Sequence, residues 1–224
     1  KEHKNKFIKS GQLSNNENKI NKLDYVLYAG SLGKYFRKKI SDFPKNPTLE
    51  ADKKITKSIK KYLSQFNKKI NIGISWKSFK NRYAGEKSLT LFDFKNIFEN
   101  KNCNFINLQY GDVSKEIISY INITGKKIIT LENIDLYNDF DGLAALLKNI
   151  DLFITVSNST AHLAGSLGVK TLLVKPANHA VFHYWNQPDN KTPWYNSITM
   201  IEKDNLVNKK MLLEKYLWIR FEFF

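Results

Sequence analysis

The stretch that most constrains the fold is Asp151-Leu152-Phe153-Ile154-Thr155-Val156, a short, β-rich apolar run, followed by the small polar turn Ser157-Asn158-Ser159. After that turn apolar residues return at helical spacing, as Ala161, Leu163, Ala164 and Leu167, and Gly168 supplies a helix stop. Lys170-Thr171-Leu172-Leu173-Val174 then reads as a second buried strand. A strand, helix and strand this close together are a crossover unit, so the two strands are expected to pair in parallel. In parallel sheets ligands sit beyond the carboxyl ends of the strands, where helix N-termini offer unpaired N–H groups and a positive dipole end. Residues 157–162 occupy that place.

The same alternation runs through the rest of the chain. Residues 52–66 put Ile55, Ile59, Tyr62, Leu63 and Phe66 on one face of an amphipathic helix with lysines opposite. Ile70-Asn71-Ile72-Gly73-Ile74-Ser75 alternates as a strand and runs into Trp76-Lys77-Ser78. Thr90 opens a helix that Asp93 supports, with Leu91, Phe94, Ile97 and Phe98 on its buried face. Residues 104–109 form the next strand, and Val113, Ile117, Ile118 and Ile121 continue as an amphipathic helix. Ile128-Ile129-Thr130 and Ile198-Thr199-Met200-Ile201 are short strand candidates, and Leu143, Leu146, Leu147 and Ile150 mark the helix before residue 151. Upstream, Asp24-Tyr25-Val26-Leu27-Tyr28 reads as a strand. Residues 206–224 read as a terminal helix with an apolar end that is expected to dock on a partner. The whole predicts an α/β fold with a parallel, doubly wound sheet.

Composition bounds the function. With 42% hydrophobic and 13% aromatic residues the chain is globular, and its one cysteine, Cys103, allows no internal disulfide. The amino terminus is charged with no apolar run behind it, and no stretch approaches the ~18 residues of a membrane span. The cytoplasm is the expected compartment. A net charge of +15 invites a nucleic-acid partner, but the lysines are spread over almost every segment rather than gathered in a stripe. No nucleic-acid partner is therefore expected.

Several residues carry candidate chemistry. Lys77, just past the carboxyl end of a strand, is well placed to neutralise a phosphate with a compact ammonium. Gly30-Ser31-Leu32-Gly33 either cradles a phosphate or is a plain turn. Asp139-Phe140-Asp141 either holds a divalent metal, as an Asp-x-Asp pair can, or caps and charges the helix that follows it. His162 either donates to a phosphate or sugar hydroxyl or is a helix-face histidine satisfied by its surroundings. The aromatic loop after Pro176, with Tyr184 and Trp185, is long enough to be functional.

Six separated segments occur in one order: Gly73-Ile74-Ser75-Trp76-Lys77-Ser78, Lys87-Ser88-Leu89, Leu108-Gln109-Tyr110-Gly111-Asp112, Asp141-Gly142-Leu143-Ala144-Ala145-Leu146, residues 151–168, and Thr192-Pro193-Trp194-Tyr195. In this the chain resembles the glycosyltransferase-like C-terminal regions of bacterial tetratricopeptide-repeat proteins. These are similar to the ADP-heptose transferases and, more distantly, to the O-linked N-acetylglucosamine transferases. The match covers roughly residues 24–201. Related sequences often carry Asp-Thr or Asp-Ser where this chain has Ser157-Asn158.

The resemblance implies the C-terminal, donor-binding half of a GT-B fold, a Rossmann-like parallel sheet with helices on both faces. It implies residues 1–50 as the tail of the acceptor-side domain and linker, 51–204 as the nucleotide-sugar domain and 205–224 as a C-terminal helix. The remainder of the N-terminal half and the repeats would lie outside these residues. It further implies metal-independent transfer of a hexosyl- or heptosyl-type sugar from a nucleotide-activated donor, with no cofactor. Ser75, Lys77, Gln109, Tyr110, Asn158, Ser159, Thr160, His162, Tyr184 and Trp185 would bind the donor, while the general base and the acceptor stay unassigned. A donor half that binds a nucleotide or glycan without catalysis is the rival reading, because residues 1–65 offer no convincing base.

Overall fold

The structure, a computed structural model, describes residues 27–28, 31–66, 70–79, 84–175, 184–185 and 188–202, in two compact units, Lys1–Phe43 and Pro44–Phe224. The expected terminal helix at 206–224 lies outside the described residues, as do Gly30 and residues 24–26. In the first unit Leu27 and Tyr28 are exposed and outside any strand, and Leu32 and Gly33 open a short helix, α1 (Leu32–Phe36). A single 3-10 turn follows at Ile40–Asp42, tied by the Asp42 carboxylate to the amides of Lys38 and Lys39 at 3.0 and 3.1 Å.

The second unit is built on five parallel strands: β1 (Ile70–Ser75), β2 (Cys103–Asn107), β3 (Leu152–Val156), β4 (Thr171–Val174) and β5 (Ile198–Ile201). Their order in the sheet is β2-β1-β3-β4-β5. The chain thus steps from β1 to β2 in one direction, then returns past β1 and builds β3, β4 and β5 the other way. That reversal puts a switch point between β1 and β3, where the loops leaving the two strands part and open a crevice.

Side chains alternate across the sheet. Ile72 and Ile74 of β1, Leu152, Ile154 and Val156 of β3 and Leu172 and Val174 of β4 face one layer. There, past the short helix α3 (Ala84–Lys87), they meet the 3-10 turn Leu91–Phe94 with α4 (Lys95–Phe98), and α5 (Ser114–Thr124). Phe98 is wedged between Phe105 and Tyr120, with ring centroids 4.7 and 5.3 Å away. On the opposite face Ile106 and Phe153 pack with α2 (Lys53–Leu63), α6 (Phe140–Leu147) and α7 (Ser159–Ser166). Helices cover both faces, so β2, β3 and β4 are buried along their whole length, as the apolar runs of β3 and β4 require.

Helix ends follow local chemistry. Asp52 caps α2 by accepting from the amides of Lys54 and Ile55, both at 2.8 Å. Asp139 caps α6 by accepting from Gly142 at 2.8 Å, and exposed Asp141 stands in the first turn. Asp139 is thus the cap, and Asp141 stands where the positive end of the helix dipole favours an acid. Gly168 ends α7 with φ +71°, where Val169 N–H donates to Ala164 at 2.9 Å and Gly168 N–H to Gly165 at 3.1 Å.

Two expectations change. The strand at residues 128–130 shrinks to one bridge between Ile129 and Ile106, in which Ile129 N–H donates to the Phe105 carbonyl and Asn107 N–H to the Ile129 carbonyl, both at 2.8 Å. Ile118 is exposed on α5 and Tyr120 is buried in its place, since the 113, 117, 120 spacing keeps to one helical face and 118 steps off it.

Candidate functional site

The carboxyl ends of β1, β2 and β3 are joined by a buried polar network. Gln109, just beyond β2, accepts at Oε1 from the amides of Trp76 and Lys77, at 2.8 and 2.6 Å, and from Ser75 Oγ at 3.1 Å. Its Nε2 donates to the Tyr110 carbonyl at 2.9 Å. Asn158 works from the β3 side. Its Oδ1 caps α7 by accepting from Ala161 N–H at 3.0 Å, while its Nδ2 donates to Ser75 Oγ at 2.8 Å and to the Lys77 carbonyl at 3.4 Å. An amide can do both jobs because it has an acceptor oxygen and donor hydrogens. The network holds the loop carrying Lys77 against the start of α7.

Ser75, Gln109 and Asn158 are thus brought together, as buried groups that mainly fix the loops. Ser159 and Thr160 begin α7, where first-turn amides have no intrahelical acceptor. Both line a cleft of about 520 Å³, together with Leu163 from α7, Tyr110 beyond β2, Phe79 beyond β1, and Leu136, Tyr137, Asn138, Phe140 and Leu143 around the start of α6. Thr160 is 1% exposed, and its Oγ1 has no hydrogen-bond partner among the described residues. A buried hydroxyl without a partner is costly, and this one belongs to a residue of the cleft wall.

A second cleft of about 460 Å³ lies beside the first. Tyr110 and Tyr137, with ring centroids 5.9 Å apart, line both. Its walls carry Asn107, Thr130, Glu132 and Asp135 above apolar Val113, Ile117 and Ile134. The Asn138 side chain and the amides of Tyr137 and Asn138 donate to Asp135, which holds its carboxyl below the usual carboxylate range. The arrangement offers acceptors for hydroxyls next to an aromatic and amide surface.

Lys77 reaches away from α7. Its ammonium pairs with Glu116 in the first turn of α5, and the other Glu116 oxygen accepts from Trp76 Nε1 at 3.0 Å. His162 faces a different cluster. It stacks on Trp185, with centroids 4.9 Å apart and planes at 28°, meets Tyr184 edge-on at 4.9 Å, and has Nδ1 3.1 Å from Tyr195 Oη. Burial pushes the imidazole below its ordinary pKa. Trp185 is 0% exposed, and its indole N–H donates to Ser157 Oγ at 3.1 Å. These rings brace α7 from behind, while Ser159, Thr160 and Leu163 face the cleft.

Sequence reasoning passed over Glu116, Phe79, Tyr137, Asn138, Phe140, Glu132 and Asp135. A usable signal existed for two of them. Tyr137 is aromatic, falls outside any apolar period and is 65% exposed, and Phe140 sits within the Asp139–Asp141 segment already singled out and is 59% exposed although it keeps the spacing of Leu143 and Leu147.

No protein-family model matches the chain. It is 30% identical to Protein FlbA of Caulobacter vibrioides over 180 residues, which make up 79% of this chain and 29% of that protein. Among solved structures it resembles the ADP-heptose LPS heptosyltransferase II of E. coli, with TM-score 0.55 and 12% identity over 80% of this chain and 56% of that one. It also resembles a family 9 glycosyl transferase of Veillonella parvula, with TM-score 0.57 and 13% identity over 77% and 54% of the two chains. The chain has the Rossmann-like fold of these glycosyltransferases. It spans less than a third of the curated relative and just over half of the solved ones.

Proposed function

We propose that this chain is the nucleotide-sugar-binding half of a glycosyltransferase, and that its full-length protein, of the tetratricopeptide-repeat kind, transfers the sugar without a metal. The observation that carries this reading is the unpartnered Thr160 hydroxyl at the start of α7, on the wall of a cleft at the carboxyl ends of parallel strands. An anion there would meet first-turn amides, a hydroxyl and the positive end of the helix dipole. Cleavage of a sugar-phosphate bond leaves negative charge developing on the diphosphate, and donors already in place stabilise it. In this reading the nucleoside lies along Tyr110 in the neighbouring cleft, where Glu132 and Asp135 accept from ribose hydroxyls, and the sugar extends toward Phe79 and Phe140. Lys77 supplies a mobile cation from a fixed backbone.

The reading is tested by calorimetric titration of the chain with ADP and UDP, followed by turnover assays of the full-length protein with a panel of nucleotide sugars. Lys77→Ala is expected to weaken nucleoside-diphosphate binding by about 1–3 kcal/mol, the range for one charge-assisted hydrogen bond, with little change in fold stability. Wild-type protein that binds neither diphosphate overturns the assignment. Unchanged affinity in the variant removes Lys77 from the site.

A further inference from the structure

We infer that Glu116 is a latch for Lys77: it holds the ammonium away from the start of α7 until an anion arrives, so that donor binding is an exchange of one charged partner for another. The inference rests on the nucleotide reading above and adds a positioning residue to it. Three observations carry it.

The first is that the backbone of Lys77 is fixed while its side chain has two places to go. Lys77 N–H donates to Gln109 Oε1 at 2.6 Å and its carbonyl accepts from Asn158 Nδ2 at 3.4 Å, which sets the residue beside the cap of α7. From that anchor a flexible four-carbon stem can turn either to α5 or to α7. The second is that the ammonium turns to Glu116, in the first turn of α5. The third is that Glu116 is itself anchored. Its Oε1 accepts from the indole N–H of Trp76 at 3.0 Å, and Trp76 is fully buried next to Lys77 in the chain. The carboxylate therefore has one oxygen holding core and one holding the lysine.

The side chains of Lys77 and Glu116 are 34% and 26% exposed, so water screens the pair in part. A pair of this kind is weak enough to exchange. A diphosphate held by the first-turn amides of α7 carries more charge than one carboxylate, so the ammonium gains by moving to it.

Glu116→Gln is the informative variant, because the amide oxygen still accepts from Trp76 while the charge facing Lys77 is lost. Affinity for ADP or UDP, measured by calorimetry on the full chain, is expected to tighten about two- to fivefold, the scale of a partly exposed ion pair. In a Lys77→Ala background the same change is expected to have no effect, so the double-mutant cycle assigns the gain to the lysine. Melting temperature and near-ultraviolet circular dichroism check that Trp76 keeps its packing. Equal gains in both backgrounds would mean that Glu116 acts only as a remote negative charge, and would overturn the latch. So would unchanged or weaker binding by Glu116→Gln, since Glu116 would then be idle or would hold Lys77 in its binding position. Absence of binding by the wild type instead removes the nucleotide reading on which the latch stands.

Discussion

Thr160→Val separates what the start of α7 does for the fold from what it does for a ligand. The two side chains are both β-branched and nearly the same shape, so the change swaps a hydroxyl for a methyl with little repacking. Thr160 is buried and its Oγ1 has no partner among the described residues. The acceptor a helical threonine reaches back to, the carbonyl four residues earlier at Val156, takes Thr155 Oγ1 at 3.0 Å. An unmet buried hydroxyl costs about 1–3 kcal/mol, and the methyl that replaces it gains by burial. The variant should therefore be more stable by about 1 kcal/mol or more, read as a rise in melting temperature of roughly 2–4 °C per kcal/mol for a unit of this size. Affinity for ADP or UDP should move the other way. Loss of a hydrogen bond to a charged group is worth about 1.5–3 kcal/mol, roughly tenfold or more in Kd. Differential scanning calorimetry and titration calorimetry on the same samples read both signs. A variant that is no more stable and binds equally well would refute the argument, for the hydroxyl would then be satisfied by water and serve no ligand.

Two further outcomes follow from the same geometry. Burial lowers the pKa of His162, so the unfolded chain takes up a proton near pH 6.5 while the native imidazole stays neutral. Stability is whole above that pH and is lost as pH falls from about 6.5 toward the lower native value. The melting temperature of the wild type should thus drop between pH 7.5 and 5.5 more steeply than that of His162→Gln, and parallel curves would refute the linkage. Gly73→Ala would set a Cβ 2.3 Å from Leu108 Cδ1, with Phe153 and Ile150 atoms at 3.2 and 3.3 Å. It should cost about 1–3 kcal/mol in urea denaturation, and Leu108→Ala in the same chain should recover part of that cost, whereas strict additivity would mean the clash lies elsewhere.

The fold was legible where its causes are local. Residues 70–75 and 198–201 emerge as strands with the boundaries their alternation predicts, and Thr90 with Asp93 opens a helical turn whose buried face is Leu91, Phe94, Ile97 and Phe98. Gly168 stops α7 because only a left-handed residue closes that bonding pattern cheaply. What was not legible depends on partners far apart in the chain. Lys77 and Glu116 lie 39 residues apart, and Trp185 finds Ser157 across 28, so nothing near either position marks the lysine as paired or the tryptophan as buried. Residues 128–130 failed as a strand for the same reason. Their β-branched composition is local, but only a neighbouring strand could have extended the ladder, and β2 leaves the sheet after Asn107.

The polar residues that stand at the strand ends divide into two kinds. Ser75, Gln109 and Asn158 are committed to one another and to the amides of Trp76, Lys77 and Ala161. Ser159, Thr160 and Tyr110 are left on the cleft wall. The first set explains how the second can act. A hydroxyl and two amides bind an anion well only if they are already aimed, since ordering them at the moment of binding would consume the gain. The buried network supplies that order by tying three strand ends to one point, and it places the carbonyl of Lys77 within reach of the cap of α7. Fixing the backbone there leaves the lysine side chain as the adjustable part. In the transfer proposed above, a mobile cation above a rigid set of donors would suit a ligand whose charge grows during the reaction, with the donors meeting the diphosphate and the cation following the charge that develops.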